Sequence, residues 1–200
     1  MTDPQTHDAP LGAHMEAELA SQPDSWERAV ELTAERALMP AHGERIAVVG
    51  CGTSWFMAQS YAVLRESAGH GVTDAFAASE AFVDRGYDAI VAITRSGTTT
   101  EVLELLEGVR GSTRTVGLVG DPNTPLVDLV DDAVRISFAD EPCVVKTRFT
   151  TARLAFLPAA TGQGLPGAAP DGRPAHLGPV GQRGQGHRRC RTGCDVNGAH

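Results

Sequence analysis

From His14 to Met39, the apolar residues Leu19, Trp26, Val30, Leu32 and Leu38 recur at roughly helical spacing, with a break at Gln22-Pro23-Asp24. Proline is favoured where a helix opens, so the break predicts two short helices. From Arg45 to Phe138 the period changes. The β-rich runs IAVVG, VTDAFA, AIVAIT, TVGLVG and AVRISF alternate with amphipathic or helix-favouring stretches. Such alternation implies parallel strands joined by crossover helices. The runs are almost continuously apolar, as strands are when helices cover both faces of their sheet. The expected fold class is therefore α/β: a doubly wound parallel sheet of five strands with helices on both faces, a three-layer sandwich.

The flanks differ from this middle. Residues 1–12 are polar and rich in Pro and Asp, the composition of a disordered leader. A helical segment at 13–42 and the α/β domain at 43–157 follow. Glu, Lys, Ile and Phe are all absent from Pro158 to His200, where Gly, Pro and Arg crowd in. The change falls in the middle of a helical segment (Thr147–Leu157) that carries no stop signal. Residues 158–200 are accordingly expected to be a disordered tail or a segment read out of frame.

Two hundred residues with 42% hydrophobic content suffice for one sizeable core rather than two. A formal charge of −8 argues against nucleic acid or an anionic membrane as the main partner, since both reward clustered Lys and Arg. Lys146 is the single lysine. There is no basic start followed by an apolar run, and no stretch of about 18 apolar residues. The expectation is a soluble, cytoplasmic protein. Cys51 and Cys143 lie in the patterned region and Cys190 and Cys194 in the tail, which is no disulfide framework. Cys190 and Cys194, near His187 and His200, have a zinc-compatible spacing, but such spacings arise cheaply in biased tails. No metal and no cofactor is expected.

Chemistry concentrates at two strand ends, and ligands of open α/β sheets bind outside the carboxyl ends of strands. In VVGCGTSW, Gly50 and Gly52 allow a tight turn, while Thr53 and Ser54 present hydroxyls where a helix over Ser54–Ser67 begins. Helix N-termini favour anions, although a Gly-rich turn also occurs for conformational reasons alone. In AITRSGTTTEVLELL, the residues Thr94, Ser96, Thr98, Thr99 and Thr100 surround Gly97, five hydroxyls in seven positions. One of them as N-cap, with Glu101 nearby, explains part of the run. The others suit a tetrahedral phosphate, which needs several donors converging on its oxygens. Arg95 adds charge. A dinucleotide fingerprint fits less well: Trp55 stands where its third glycine belongs, and no acidic residue cleanly ends the second strand, although Asp74 and Glu80 are near.

Together these segments resemble the sugar-isomerase (SIS) domain family, whose hallmark is a G-x-G-[ST]-S turn followed by an S-x-S-G-x-T loop. They stand here as Gly50-Cys51-Gly52-Thr53-Ser54 and Thr94-Arg95-Ser96-Gly97-Thr98-Thr99, with Thr94 in place of the first Ser. The stretch from Met15 to Pro23 resembles the helix that precedes the isomerase part of glucosamine-6-phosphate synthase, and that from Ala78 to Phe82 resembles a segment of the same family, which together point to the first SIS half of its isomerase domain. The stretch from Glu141 to Thr151 is closer to amino-sugar-phosphate isomerases and deaminases. The resemblance implies a flavodoxin-like SIS fold and a phosphosugar ligand. It places Thr53, Ser96 and Thr99 on the phosphate with Thr94 and Arg95 beside it. Cys51, Val144 and Lys146 would line the sugar pocket, and Gly52, Ser54 and Gly97 complete the loops. Lys146 departs from the Ser usual in the synthases.

Moving a proton between neighbouring sugar carbons demands a general base and a group that opens the ring. In the synthases a second SIS half supplies a Glu and a His, and the expectation is that this chain lacks that half and the glutaminase domain. Catalytic residues are thus not assigned, and binding of a hexose or amino-hexose 6-phosphate is the leading expectation. One rival is an isomerase completed by homodimerisation, as the single-SIS isomerases imply, with Glu80, Glu101 or a His acting across the interface. Another is a phosphosugar-sensing module or an inactive fragment. The acidic charge and the absence of a helix-turn-helix pattern weigh against a nucleic-acid reader.

Overall fold

The computed structural model describes residues 13–139 and 147–163; residues 1–12, 140–146 and 164–200 lie outside them. The chain opens with helices α1 (Ala13–Ala20), α2 (Gln22–Glu31) and α3 (Thr33–Arg36). Pro23 stands in the first turn of α2, where a missing N–H forfeits no helical bond.

Five strands follow: β1 (Ile46–Gly50), β2 (Thr73–Ala77), β3 (Ala89–Thr94), β4 (Arg114–Val119) and β5 (Asp132–Arg135). They pair in parallel in the order β2-β1-β3-β4-β5. Helices α4 (Thr53–Ser67), α5 (Thr100–Val109) and α6 (Pro125–Leu129) make the crossovers, and α7 (Arg148–Ala160) comes last. The chain steps from β1 outward to β2, then returns to the other side of β1 and continues through β3, β4 and β5. Right-handed crossovers in opposite directions put α4 on one face and α5 and α6 on the other.

The alternation of side chains along the central strands shows both faces at work. Ile46, Val48, Ala89, Val91 and Ile93 pack with Met57, Ala58 and Tyr61 of α4 and with Phe149, Ala152 and Phe156 of α7. Ala47, Val49, Ile90 and Ala92 pack with Val102 and Leu106 of α5 and Leu126 of α6. Every residue of β1 and β3 is buried, which explains their unbroken apolar spelling. The N-terminal helices join the first of these layers: α2 lies along α7, and Ala29 and Met39 are fully enclosed in the same core. The amino edge of the sheet is tied by Arg65, wholly buried, whose guanidinium donates to the carbonyls of Glu44 and Ala41 and to Thr73 Oγ1.

Three helices rather than the expected two precede the sheet, because the chain breaks a second time at Leu32, whose ψ of 70° is not helical, and two further boundaries differ from the sequence pattern by more than one residue. The fifth strand stops at Arg135 rather than Phe138, because β5 is an edge that pairs with β4 alone, and Ser137–Ala139 turns into a single 3-10 turn. Helix α7 runs past Leu157 to Ala160 with Pro158 inside it. Leu157 and Pro158 are both buried, so packing carries the helix through a residue that costs it a hydrogen bond.

Candidate functional site

β1 is the strand from which the chain departs in both directions, so the carboxyl ends of β1 and β3 form the topological switch point of the sheet. Two loops leave there. The β1–α4 turn is tight because Gly50 has no side chain: a Cβ would lie 2.7 Å from the backbone carbon of Ser54. Gly52 then serves as the N-cap of α4, and the N–H groups of Trp55 and Phe56 close onto its carbonyl.

The β3–α5 loop is held by its own hydroxyls. Thr94 Oγ1 accepts the Gly97 N–H at 3.2 Å and lies 3.4 Å from Thr99 Oγ1. The carbonyl of Arg95 accepts the N–H groups of Gly120 and Asp121, each at 3.1 Å, which fastens the loop to the end of β4. Gly97 sits at φ +63°, and a Cβ there would come 2.1 Å from Thr124 Oγ1. Thr99 is the N-cap of α5 by position, yet its side chain makes no capping bond. Its hydroxyl lies beside Thr94 Oγ1 instead, and the residue lines the cavity between the two loops.

Between the loops lies a cavity of about 270 Å³ lined by Cys51, Thr53, Ser54, Thr94, Arg95, Ser96, Thr99, Thr150 and Arg153. Seven of these nine belong to the residues expected from the sequence. Gly52 and Gly97 shape the loops without lining the cavity, whereas Val144 and Lys146 lie outside the described residues. Thr150 and Arg153 of α7 were not anticipated. The only trace of Arg153 in the sequence is a lone cation on a helix face otherwise made of Phe149, Ala152 and Phe156.

The hydrogen bonds decide which atoms the cavity offers. Arg153 Nη1 donates to Ser54 Oγ at 3.2 Å. The backbone N–H and the hydroxyl of Thr98 both donate to Ser96 Oγ, at 3.3 and 3.0 Å. Each serine oxygen thus already accepts from the protein, and its own proton remains to be donated. Among the described residues lining the cavity there is no carboxylate and no imidazole, while two guanidinium groups are present. Burial, reinforced by the Glu101 carboxylate and opposed by a backbone hydrogen bond from Ala78, pushes the Cys51 thiol up, so it stays protonated and is no nucleophile at neutral pH. The described lining of the cavity is rich in hydrogen-bond donors.

A larger hollow of about 720 Å³ runs along α5 and carries Asp84, Glu101 and Glu104. Three carboxylates would repel a phosphate, and size alone does not make it the site. Glu80 is exposed in the 3-10 turn after β2 and lines neither cavity.

A doubly wound α/β domain with a donor-lined cavity at its switch point is the class that fold and site define. Solved structures narrow it. The C-terminal domain of glucosamine-fructose-6-phosphate aminotransferase from Francisella tularensis superposes with a TM-score of 0.64 at 22% identity, over 80% of this chain and 48% of that one. A proposed sugar-phosphate isomerase from Listeria monocytogenes gives 0.60 at 20% identity, over 81% and 90%. The Vibrio vulnificus NanR protein, complexed with ManNAc-6P, gives 0.58 at 18% identity, over 76% and 62%. The chain therefore has the fold of the SIS domains of phosphosugar isomerases. It spans less than half of the Francisella domain and most of the Listeria protein. No sequence-family profile and no curated protein sequence matches it.

Proposed function

We propose that the chain binds a phosphosugar, a hexose or amino-hexose 6-phosphate, with the phosphate in the cavity between the β1–α4 and β3–α5 loops. One observation carries this reading: hydroxyl donors and two arginines converge, with no carboxylate among the described lining residues, on a pocket between the first turns of α4 and α5. Helix N-termini and neutral donors are the usual cradle of a phosphate. The phosphosugar ligand of NanR, on the same fold, supports the sugar part. Thr53, Ser54, Ser96 and Thr99 hold the phosphate and Arg95 lies beside it; Val144 and Lys146, outside the described residues, are assigned to the sugar by the family resemblance alone. Proton transfer between sugar carbons would need a carboxylate or imidazole brought to the pocket by another segment or a second copy.

A homodimer in the cytoplasm goes with this reading. Phe56 and Val63, two turns apart on α4, are 55% and 69% exposed, apolar surface of the kind a second copy covers. Light scattering of the purified chain measures that directly. No helix among the described residues is long and apolar enough to cross a membrane.

The binding test is thermal denaturation with a panel of hexose 6-phosphates and the matching free hexoses. At about 100 times Kd a ligand adds about 2.7 kcal/mol, which raises Tm by roughly 5–10 °C in a domain of this size. The phosphorylated sugars shift the wild type, and Ser96→Ala loses most of the shift. Equal shifts from free hexoses, or none from any phosphosugar, would sink the proposal.

A further inference from the structure

At the amino edge of the sheet, opposite the cavity, two imidazoles meet. His42 precedes β1, and His70 lies in the link between α4 and β2. Their ring centroids are 5.0 Å apart and the rings are tilted by 53°. The backbone fixes both segments: the Gly43 N–H donates to the His70 carbonyl at 2.8 Å, and the His70 N–H donates to the Arg65 carbonyl at 2.9 Å. The buried Arg65 guanidinium adds to this by donating to the carbonyls of Ala41 and Glu44. His42 is exposed and His70 half-buried, so the pair is open to solvent. Neither imidazole makes a hydrogen bond or an ion pair among the described residues. The carboxylates on the same segments are already engaged, Glu44 with the Ala41 N–H and Glu66 with the Thr73 N–H.

We propose that His42 and His70 form a two-histidine site for a divalent transition ion that favours imidazole, such as Zn²⁺ or Ni²⁺, separate from the phosphosugar cavity. The spacing is the reason. A Zn²⁺ about 2.0–2.1 Å from an imidazole nitrogen lies about 3.2 Å from the centroid of that ring. Two such ligands at an angle of about 90–110° therefore set their centroids about 4.5–5.2 Å apart. The observed 5.0 Å falls inside that range. Rings in ordinary contact spread more widely, over about 4.5–7 Å. Because backbone bonds already hold the two segments together, little ordering remains to be supplied on binding. No third His, Cys, Asp or Glu completes a cluster among the described residues. Water must then fill the remaining positions, which makes the site open and exchangeable rather than a closed four-ligand structural centre. Mg²⁺ and Ca²⁺ take oxygen ligands, so this donor set selects against them. An ion held by both rings clasps the segment before β1 to the segment before β2.

The test is an NMR titration of the isotope-labelled full chain with Ni²⁺, whose unpaired electrons broaden nearby amide signals, with Zn²⁺, and with Mg²⁺ as control. A site-resolved readout is needed because the chain holds further ligand types, among them His187, Cys190, Cys194 and His200. Below one equivalent of Ni²⁺ the amide signals of Gly43 and Gly71 are expected to broaden. Zn²⁺ shifts the same signals, and Mg²⁺ leaves them in place. His42→Gln and His70→Gln each weaken this local response about tenfold or more, since the second, intramolecular bond is lost, while responses elsewhere in the chain persist. Broadening confined to other parts of the chain overturns the proposal, as does local broadening that survives both substitutions. An equal response to Mg²⁺ would show accumulation of cations on an acidic surface instead of ligation, and overturns it too. Should the half-buried His70→Gln variant not fold, the exposed His42 decides alone: unchanged broadening at Gly43 and Gly71 in His42→Gln removes the site.

Discussion

Replacing Gly97 by alanine tests how the phosphate loop is held. The residue has φ +63°, and the new Cβ would fall 2.1 Å from Thr124 Oγ1 and 2.7 Å from Thr124 Cβ. Rotating the threonine side chain relieves the first contact. The second persists, because a Cβ is fixed to its backbone, so one of the two loops must move. Movement is resisted by the Arg95 carbonyl, which holds two N–H groups of the β4–α6 loop. Left-handed backbone costs a non-glycine residue about 1–2 kcal/mol, and overpacking costs about 1–3 kcal/mol, so the expected loss is about 2–5 kcal/mol. Urea unfolding of wild type, Gly97→Ala, Thr124→Gly and the double variant separates the two parts. The steric part is recovered in the double variant as a coupling of about 1–3 kcal/mol, and the backbone part is not. A Gly97→Ala protein within about 0.5 kcal/mol of wild type, or additive single effects, would refute the reasoning.

Other positions give equally direct expectations. Arg65→Met strips hydrogen bonds from Glu44, Ala41 and Thr73 in a buried setting and should cost about 3 kcal/mol in urea unfolding; a loss under about 1 kcal/mol would show that these bonds are dispensable. Burial pushes the Tyr61 phenol up to about 12 against the pull of Arg65. A raised pKa contributes stability that is whole below the ordinary tyrosine value of about 10 and is lost as pH climbs toward the folded value. Tyr61→Phe should therefore flatten the stability profile above about pH 10, and an unchanged alkaline slope would contradict this. The backbone N–H and hydroxyl of Thr115 donate to the Asp131 carboxylate at 2.7 and 2.9 Å and hold it below the ordinary range. A depressed pKa gives stability that is present above the usual aspartate value of about 3.9 and drains as pH falls through the lower folded value. Asp131→Asn should remove that part of the acid limb, which stability curves at low pH would register.

The strands show why much of the fold was readable. AIVAIT coincides with β3, and IAVVG with β1, because both are central strands whose burial on two faces spells itself as an apolar run. At the edge the signal fails: β5 ends three residues early, where its pairing partner gives out rather than where hydrophobicity does. In α7 the end of the helix is set by the burial of Leu157 and Pro158, a tertiary fact that local helix rules oppose. The two loops were legible because glycines, hydroxyls and strand ends lie next to one another in the chain. Arg153 was not, because a single arginine in a helix normally marks a solvated face, and its partner Ser54 is 99 residues away.

Sequence alone determined the alternation of strands and helices and the two hydroxyl-rich turns at the ends of β1 and β3, because period and turn chemistry are local properties. Only the tertiary structure decided that α7 supplies the third wall, that Thr99 lines the cavity without capping its helix, and that Ser54 and Ser96 are left with protons to give. Those outcomes depend on which donor reaches which lone pair across the fold, and such a geometry exists only once distant segments are packed together.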